Sequence, residues 1–254
     1  MISGASVPLL AVLALLGLLG GIGITALGPG GVLPTIGLFA LTDLSASAVA
    51  GTAIVTHIAT GALGTLAYTR SGQLRQPHTR RTALVLAGAA VVGTPIGVVV
   101  NTLVSKHVFG IILAVIVGGV ALLLWYRETR APSAGRHPHV AVVAGLGFAV
   151  AVLSGIVGIG GPMLTVPLLI ACGVPVLESL AAAQAQSIVI ATVGTIGYAA
   201  HGTIDWALAA IVGIPELAGV IVGWKIAHAL PTRTLKYALI VALLALAPYL
   251  ALSA

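Results

Sequence analysis

The chain has 254 residues, 59% of them hydrophobic and only 6% charged, with a formal net charge of +6. A soluble domain carries roughly a quarter of its residues as Asp, Glu, Lys and Arg, so a water-soluble globular protein is excluded. The basic excess lies between apolar runs without interleaved aromatic residues, which fits orientation in a bilayer and leaves no nucleic acid as partner.

The first apolar run, Val7 to Ala26, follows a start (Met1 to Pro8) without Lys or Arg. A cleaved signal peptide needs a basic start, so this run is expected to remain as a membrane helix. A short run, Val32 to Leu41, comes next, followed by long ones at Ala46 to Ala67, Ala83 to Val100, Val108 to Tyr126 and Val140 to Val157. The seventh, Met163 to Cys172, is again short, and Leu177 to Ala200, Trp206 to Gly223 and Leu235 to Leu252 complete the series. At about 20 residues per crossing, eight runs span a bilayer as helices and two fall short. None alternates polar with apolar positions as a barrel strand does, so the expected class is an all-α polytopic membrane protein. Cys172 is the only cysteine, which excludes an intrachain disulfide and a thiolate metal site. No phosphate-cradling Gly-x-x-x-x-Gly-Lys-Ser/Thr stretch is present, and no cofactor is expected.

A shift of 130 positions pairs Gly17 with Gly147, Gly28 with Gly158, Gly30 with Gly160, Gly31 with Gly161 and Thr35 with Thr165. The same shift pairs Ile58, Gly64, Thr65, Tyr68 and Gly72 with Ile188, Gly194, Thr195, Tyr198 and Gly202. Further on, a shift near 120 pairs Gly93 and Pro95 with Gly213 and Pro215. This is the pattern of a tandem duplication, with one repeat in residues 1–130 and the other in 140–254. Counting every run as a crossing, with both termini outside, places ten of the eleven basic residues in cytoplasmic loops: Arg70, Arg75, Arg80, Arg81, Arg127, Arg130, Arg136, Lys225, Arg233 and Lys236. Only Lys106 stays outside. Five crossings per repeat is an odd number, so an inverted-topology repeat of two five-segment halves is expected, each with one short broken helix.

A helix from Val32 to Leu44 would be about 20 Å long, which puts the turn at Gly28-Pro29-Gly30-Gly31 well below the membrane surface. Its copy, Gly158-Ile159-Gly160-Gly161, would reach a similar depth from the other face. Non-helical backbone at that depth must lie inside protein or beside a cavity. Each turn also opens a helix whose first N–H groups and dipole favour an anion, so Gly30, Gly31, Gly160 and Gly161 are candidate substrate-binding residues. Polar side chains interrupt the third long run of each repeat: Thr52, Thr56, His57 and Thr60 in one, and Gln184, Gln186 and Ser187 in the other. Of these, Thr52, Thr56, His57, Gln186 and Ser187 are candidates to line a polar cavity, with helix cross-linking as the alternative for His57 and the glutamines and back-bonding to its own helix as the alternative for Thr60. Glu216 follows Pro215 inside an apolar run, so His57 and Glu216 are the proton-coupling candidates; a structural carboxyl is the competing role for Glu216. Asp43, Glu178 and Asp205, at run boundaries, are expected helix caps.

The run Gly158-Ile159-Gly160-Gly161-Pro162 with Thr165, Val166, Pro167 and Leu168, its weaker copy at Gly28, and the repeated Gly64, Thr65, Tyr68, Gly72 pattern resemble the TauE/SafE family of sulfite and organosulfonate exporters. The resemblance covers nearly the whole chain, with departures at His57 and Val32. It implies a prokaryotic plasma-membrane secondary transporter that moves small sulfur-containing anions by alternating access, with a homodimer as its protein assembly. The competing functions are an intramembrane hydrolase using Ser187 or Ser154 with His57 or His201, and a cation or proton carrier using His57 and Glu216. For the second of these, one histidine and one carboxylate are too few for a metal site.

Overall fold

The computed structural model describes residues 6–128 and 138–229. The tenth apolar run, the C-terminus expected outside, and Arg130, Arg136, Arg233 and Lys236 of the orientation argument lie outside these residues. Every element among the described residues is helical: α1 Val7–Ala26, α2 Leu33–Leu41, α3 Ala46–Arg70, α4 Pro77–Thr102, α5 Lys106–Glu128, α6 Val140–Val157, α7 Pro162–Ala171, α8 Val176–Ala200 and α9 Trp206–Ala229, with 3₁₀ turns at Pro29–Val32 and Gln73–Arg75. Seven of them (α1, α3, α4, α5, α6, α8 and α9) are long and apolar enough to cross a membrane.

Local chemistry sets the helix ends. Ser45 starts α3 by accepting from the Ala48 amide, a role the sequence assigned to Asp43. Asp205 does cap α9, its Oδ1 accepting from the amides of Ala207 and Leu208. Glu178 sits inside the first turn of α8 and accepts from the Thr79 hydroxyl at 3.1 Å. Proline opens α4 and α7, where its missing N–H costs nothing. The first short segment is divided into the Pro29–Val32 turn and the nine-residue α2, with Thr42 already extended, so it ends before the expected Leu44. Lys106 donates to the carbonyl of Thr42 and lies over the Phe39 ring, which places a cation at the carbonyl end of α2.

The helices that match at a shift of 130 exchange partners. Helix α1 packs along α9, and its counterpart α6 packs along α4; α3 and α8 pack on each other, and α3 with α9 mirrors α8 with α4. Single bonds repeat the exchange: Tyr68 donates its hydroxyl to Thr25 O at 2.7 Å, and Tyr198 donates to Gly155 O at 2.6 Å. Gly64 abuts Gln184 and Gly194 abuts Ile54, again one relation read twice.

Close packing also corrects the register of α4 against α9. Gly93 faces Phe148 and Ala151 as Gly219 faces Leu18 and Gly21, while Gly97 faces Val152 and Gly155 as Gly223 faces Ile22 and Thr25. The operative shift is therefore 126, and Gly213 and Pro215 are not the structural counterparts of Gly93 and Pro95. Small residues at these points let backbones approach, which is how helices associate where no water drives them together.

Asn101 ties three helices together: its amide donates to Ile156 O at 2.6 Å, and its carbonyl oxygen accepts from Ser47 Oγ. The large apolar side chains left exposed, such as Leu84, Val91, Val92 and Val99 on α4 and Ile111 and Val115 on α5, form the outward faces of the bundle. Two half-exposed tryptophans, Trp125 and Trp206, lie near helix ends as in an interfacial aromatic belt.

Candidate anion site between two glycine turns

Helix α3 has 25 residues, and His57 lies halfway along it, fully buried. A Cβ at Gly31 would stand 3.4 Å from His57 Cε1, and one at Gly160 would stand 3.3 Å from His57 Cγ and 2.8 Å from Ser187 Oγ. Cε1 and the Cγ–Cδ2 bond are opposite ends of an imidazole, so the two glycine turns reach the same ring from opposite ends. Only glycine fits the turn before Gly160: Gly158 has a φ of 72° and presses on the backbone of Ala50.

Glu216 approaches the ring from α9. Its Oε1 is 3.2 Å from His57 Nδ1, with both side chains fully buried. That is ion-pair distance outside hydrogen-bond geometry: neither nitrogen of His57, neither oxygen of Glu216 and not the hydroxyl of Ser187 has a hydrogen-bond partner. Buried polar atoms without partners are uncommon and costly, and five of them lie around this one point, which makes it the candidate binding site. Gly21 of α1 abuts the backbone of Glu216, and Gly213 abuts Thr56 one turn before it, so small residues bring α1, α3 and α9 together at this level.

The other candidates are engaged elsewhere. Gln186 accepts from the hydroxyl of Thr165 and donates to Gly147 O at 3.2 Å, which joins α8 to α7 and α6, the cross-linking alternative. Its oxygen still borders Gly161, at 3.1 Å from a Cβ placed there. Gln184 donates to Ile24 O at 3.0 Å. Thr56 and Thr60 bond back to Ala53 O and Thr56 O of their own helix. Thr52 accepts from the Asp205 amide at 3.0 Å, beside a cleft of about 540 Å³ lined by Leu44, Ser45, Ala48 and residues 202–207. The structure thus gathers Gly31, Gly160, His57, Ser187 and Glu216, and places Thr52 apart from them, bonded to the Asp205 amide. Asn101 and Thr165 were missed as partners; the lone amide of Asn101 at the end of an apolar run was the available signal.

Chemically, the site offers two ring nitrogens and one hydroxyl beside the N-terminal end of α7, whose Leu164 and Thr165 amides already donate to Gly161 O, against one carboxylate. This is a donor-rich pocket suited to an oxyanion. Among the described residues no three His, Cys, Asp or Glu side chains come together as a metal site.

A family model described as sulfite exporter TauE/SafE matches residues 13–250. The chain belongs to the TauE/SafE family. It is 31% identical over 156 residues to a "Probable membrane transporter protein" of Xylella fastidiosa (strain 9a5c), the match covering 59% of this chain and 57% of that protein. This chain therefore spans little more than half the length of that relative. No solved structure matches it. TauE/SafE proteins are multi-pass membrane transporters and not enzymes, so the hydrolase reading falls. Ser187 makes no hydrogen bond to His57, and His201 is exposed at the end of α8, bonded to Gly197 O.

Proposed function

We propose that this chain is a secondary transporter of the plasma membrane that exports small sulfur oxyanions, sulfite or organosulfonates, by alternating access around the His57 site. The observation that carries the reading is the meeting of Gly31 and Gly160 on one buried imidazole whose nitrogens, with Ser187 Oγ, lack partners. An oxyanion there would receive hydrogen bonds from His57 and Ser187 and the favourable dipole of α7.

All five residues of the site are buried, as in an occluded state. The cleft is lined on α3 as far as Ala48, about two helical turns before Thr56 and His57, and the Asp205 to Thr52 bond lies between. The partner exchange between α1–α5 and α6–α9 supports two repeats, residues 1–130 and 140–254, related by inversion, and the basic loops favour an N-terminus outside. In such an arrangement, rocking of one repeat against the other opens the site to each face in turn.

His57 and Glu216, an imidazole and a carboxylate 3.2 Å apart and both fully buried, are the pair that would couple movement of the anion to a proton.

The test is counterflow of labelled sulfite in proteoliposomes. Internal sulfite should drive uptake above that of empty vesicles, and His57→Ala should lower it at least about tenfold, the loss of a charge-assisted hydrogen bond. Uptake equal to empty vesicles, with sulfoacetate, thiosulfate and sulfate equally inert, would reject this class of substrate.

A further inference from the structure

We propose that Glu216 is a tethered competitor of the transported anion: its carboxylate holds, on the His57 ring, the place an anion takes during transport, and protonation withdraws it. The inference rests on the anion reading above and adds how the site is kept from binding an anion without a proton.

Three observations carry it. First, the carboxylate stands 3.2 Å from His57 Nδ1, yet neither of its oxygens receives a hydrogen bond from any other group. A buried carboxylate kept for structure is held by several donors; this one has only the His57 ring beside it. Second, the arrangement exists once. By the shift of 130, Ser187 corresponds to His57, and by the shift of 126 between α4 and α9, Ala90 corresponds to Glu216. The other repeat thus carries a hydroxyl and a methyl where this one carries an imidazole and a carboxylate, so one charged pair serves one site. Third, Pro215 precedes Glu216 in α9 and releases a backbone hydrogen bond one turn earlier, where the helix is free to bend as the carboxylate leaves.

Among the described residues, no other titratable side chain is paired with His57 or Glu216. Helices α1, α2, α6 and α7 and the Pro29–Val32 turn contain none. On α3, Tyr68 bonds to Thr25 O and Arg70 lies in the last turn. On α8, Glu178 and Tyr198 bond to Thr79 and Gly155. On α9, Lys225 and His228 lie near the far end, with His228 bonded to Trp224 O, and the titratable groups of α4 (His78, Arg80 and Arg81) lie in its first turns. The competition is therefore between one carboxylate and one anion for one ring, with one proton deciding it.

The sign follows. A proton on Glu216 frees His57, so anion affinity rises as pH falls. Methanesulfonate is the suitable probe, because its own charge stays fixed across the range. Calorimetric titration of the purified protein from about pH 5 to about pH 9 should show wild-type affinity falling toward about tenfold per pH unit on the alkaline side. Glu216→Gln should bind more tightly than wild type at high pH, with a shallower profile, the His57 ring alone remaining to titrate. A variant that binds more weakly than wild type at every pH, or keeps its slope, overturns the proposal. So does a flat wild-type profile, which needs no variant to fold. Failure of wild type and variant alike to bind methanesulfonate, sulfite or sulfoacetate would instead overturn the anion reading itself.

Discussion

Gly160 has no side chain, and that absence leaves room between His57 and Ser187. Gly160→Ala would place a methyl group 2.8 Å from Ser187 Oγ and 3.3 Å from His57 Cγ. Sulfite counterflow should fall by about tenfold or more while the thermal midpoint in detergent changes little, since Ser187 can rotate away from the methyl group at a rotamer cost of about 1 kcal/mol. Gly72→Ala is the contrasting case: its φ of 94° is unfavourable for alanine, but nothing lies within 4 Å of the added carbon, so stability should drop by about 1–2 kcal/mol with turnover intact. The tyrosines make a matched pair, since each donates one buried hydrogen bond to a backbone carbonyl. Tyr68→Phe and Tyr198→Phe should each cost about 1 kcal/mol, read as equal losses of midpoint. His57, Ser187 and Glu216 were legible in the sequence because polar groups inside apolar runs need a reason to be there. Their pairing was not. Residues 57 and 216 meet only because Gly21 and Gly213 let α1, α3 and α9 close on one another, and no local pattern records that.

At the level of helices, apolar length foretold every long span among the described residues, and the two short segments stand where glycine and proline interrupt the runs. The register of α4 against α9 did not follow from matching glycine and proline, because the proline positions differ between the two helices while the packing glycines coincide. The roles of the glutamines stayed open in the sequence for a similar reason: a glutamine that lines a cavity and one that joins three helices look alike until their partners are known. The corrected register makes its own prediction. Gly97 and Gly223 occupy equivalent contacts, against Val152 and Gly155 in one case and Ile22 and Thr25 in the other. Gly97→Val and Gly223→Val should therefore destabilise to a similar degree, by about 1–3 kcal/mol each through overpacking, whereas Gly88→Val, with nothing within 4 Å, should cost only about 0.5 kcal/mol or less. Unequal losses at positions 97 and 223 would argue against the register.

For the whole molecule, α1 packs along α9 and α6 along α4, so the first helix of each proposed repeat lies against the fourth helix of the other. The orientation can be checked with single cysteines in a Cys172→Ala background. A cysteine at exposed Gln76 should react with a membrane-impermeant maleimide only from the cytoplasmic side, and one at Leu103, 83% exposed, only from outside. On the proposed coupling of one proton to each anion, transport of a monovalent sulfonate should be electroneutral: a proton gradient drives its accumulation and a potassium-diffusion potential does not. All of this depends on one small volume beside His57. The most direct measurement is anomalous diffraction from crystals soaked in selenite, the heavier analogue of sulfite. The account predicts a selenium peak between Gly31 and Gly160, within hydrogen-bond reach of His57 and Ser187; selenium found only at the molecular surface, with the His57 site unchanged, would contradict it.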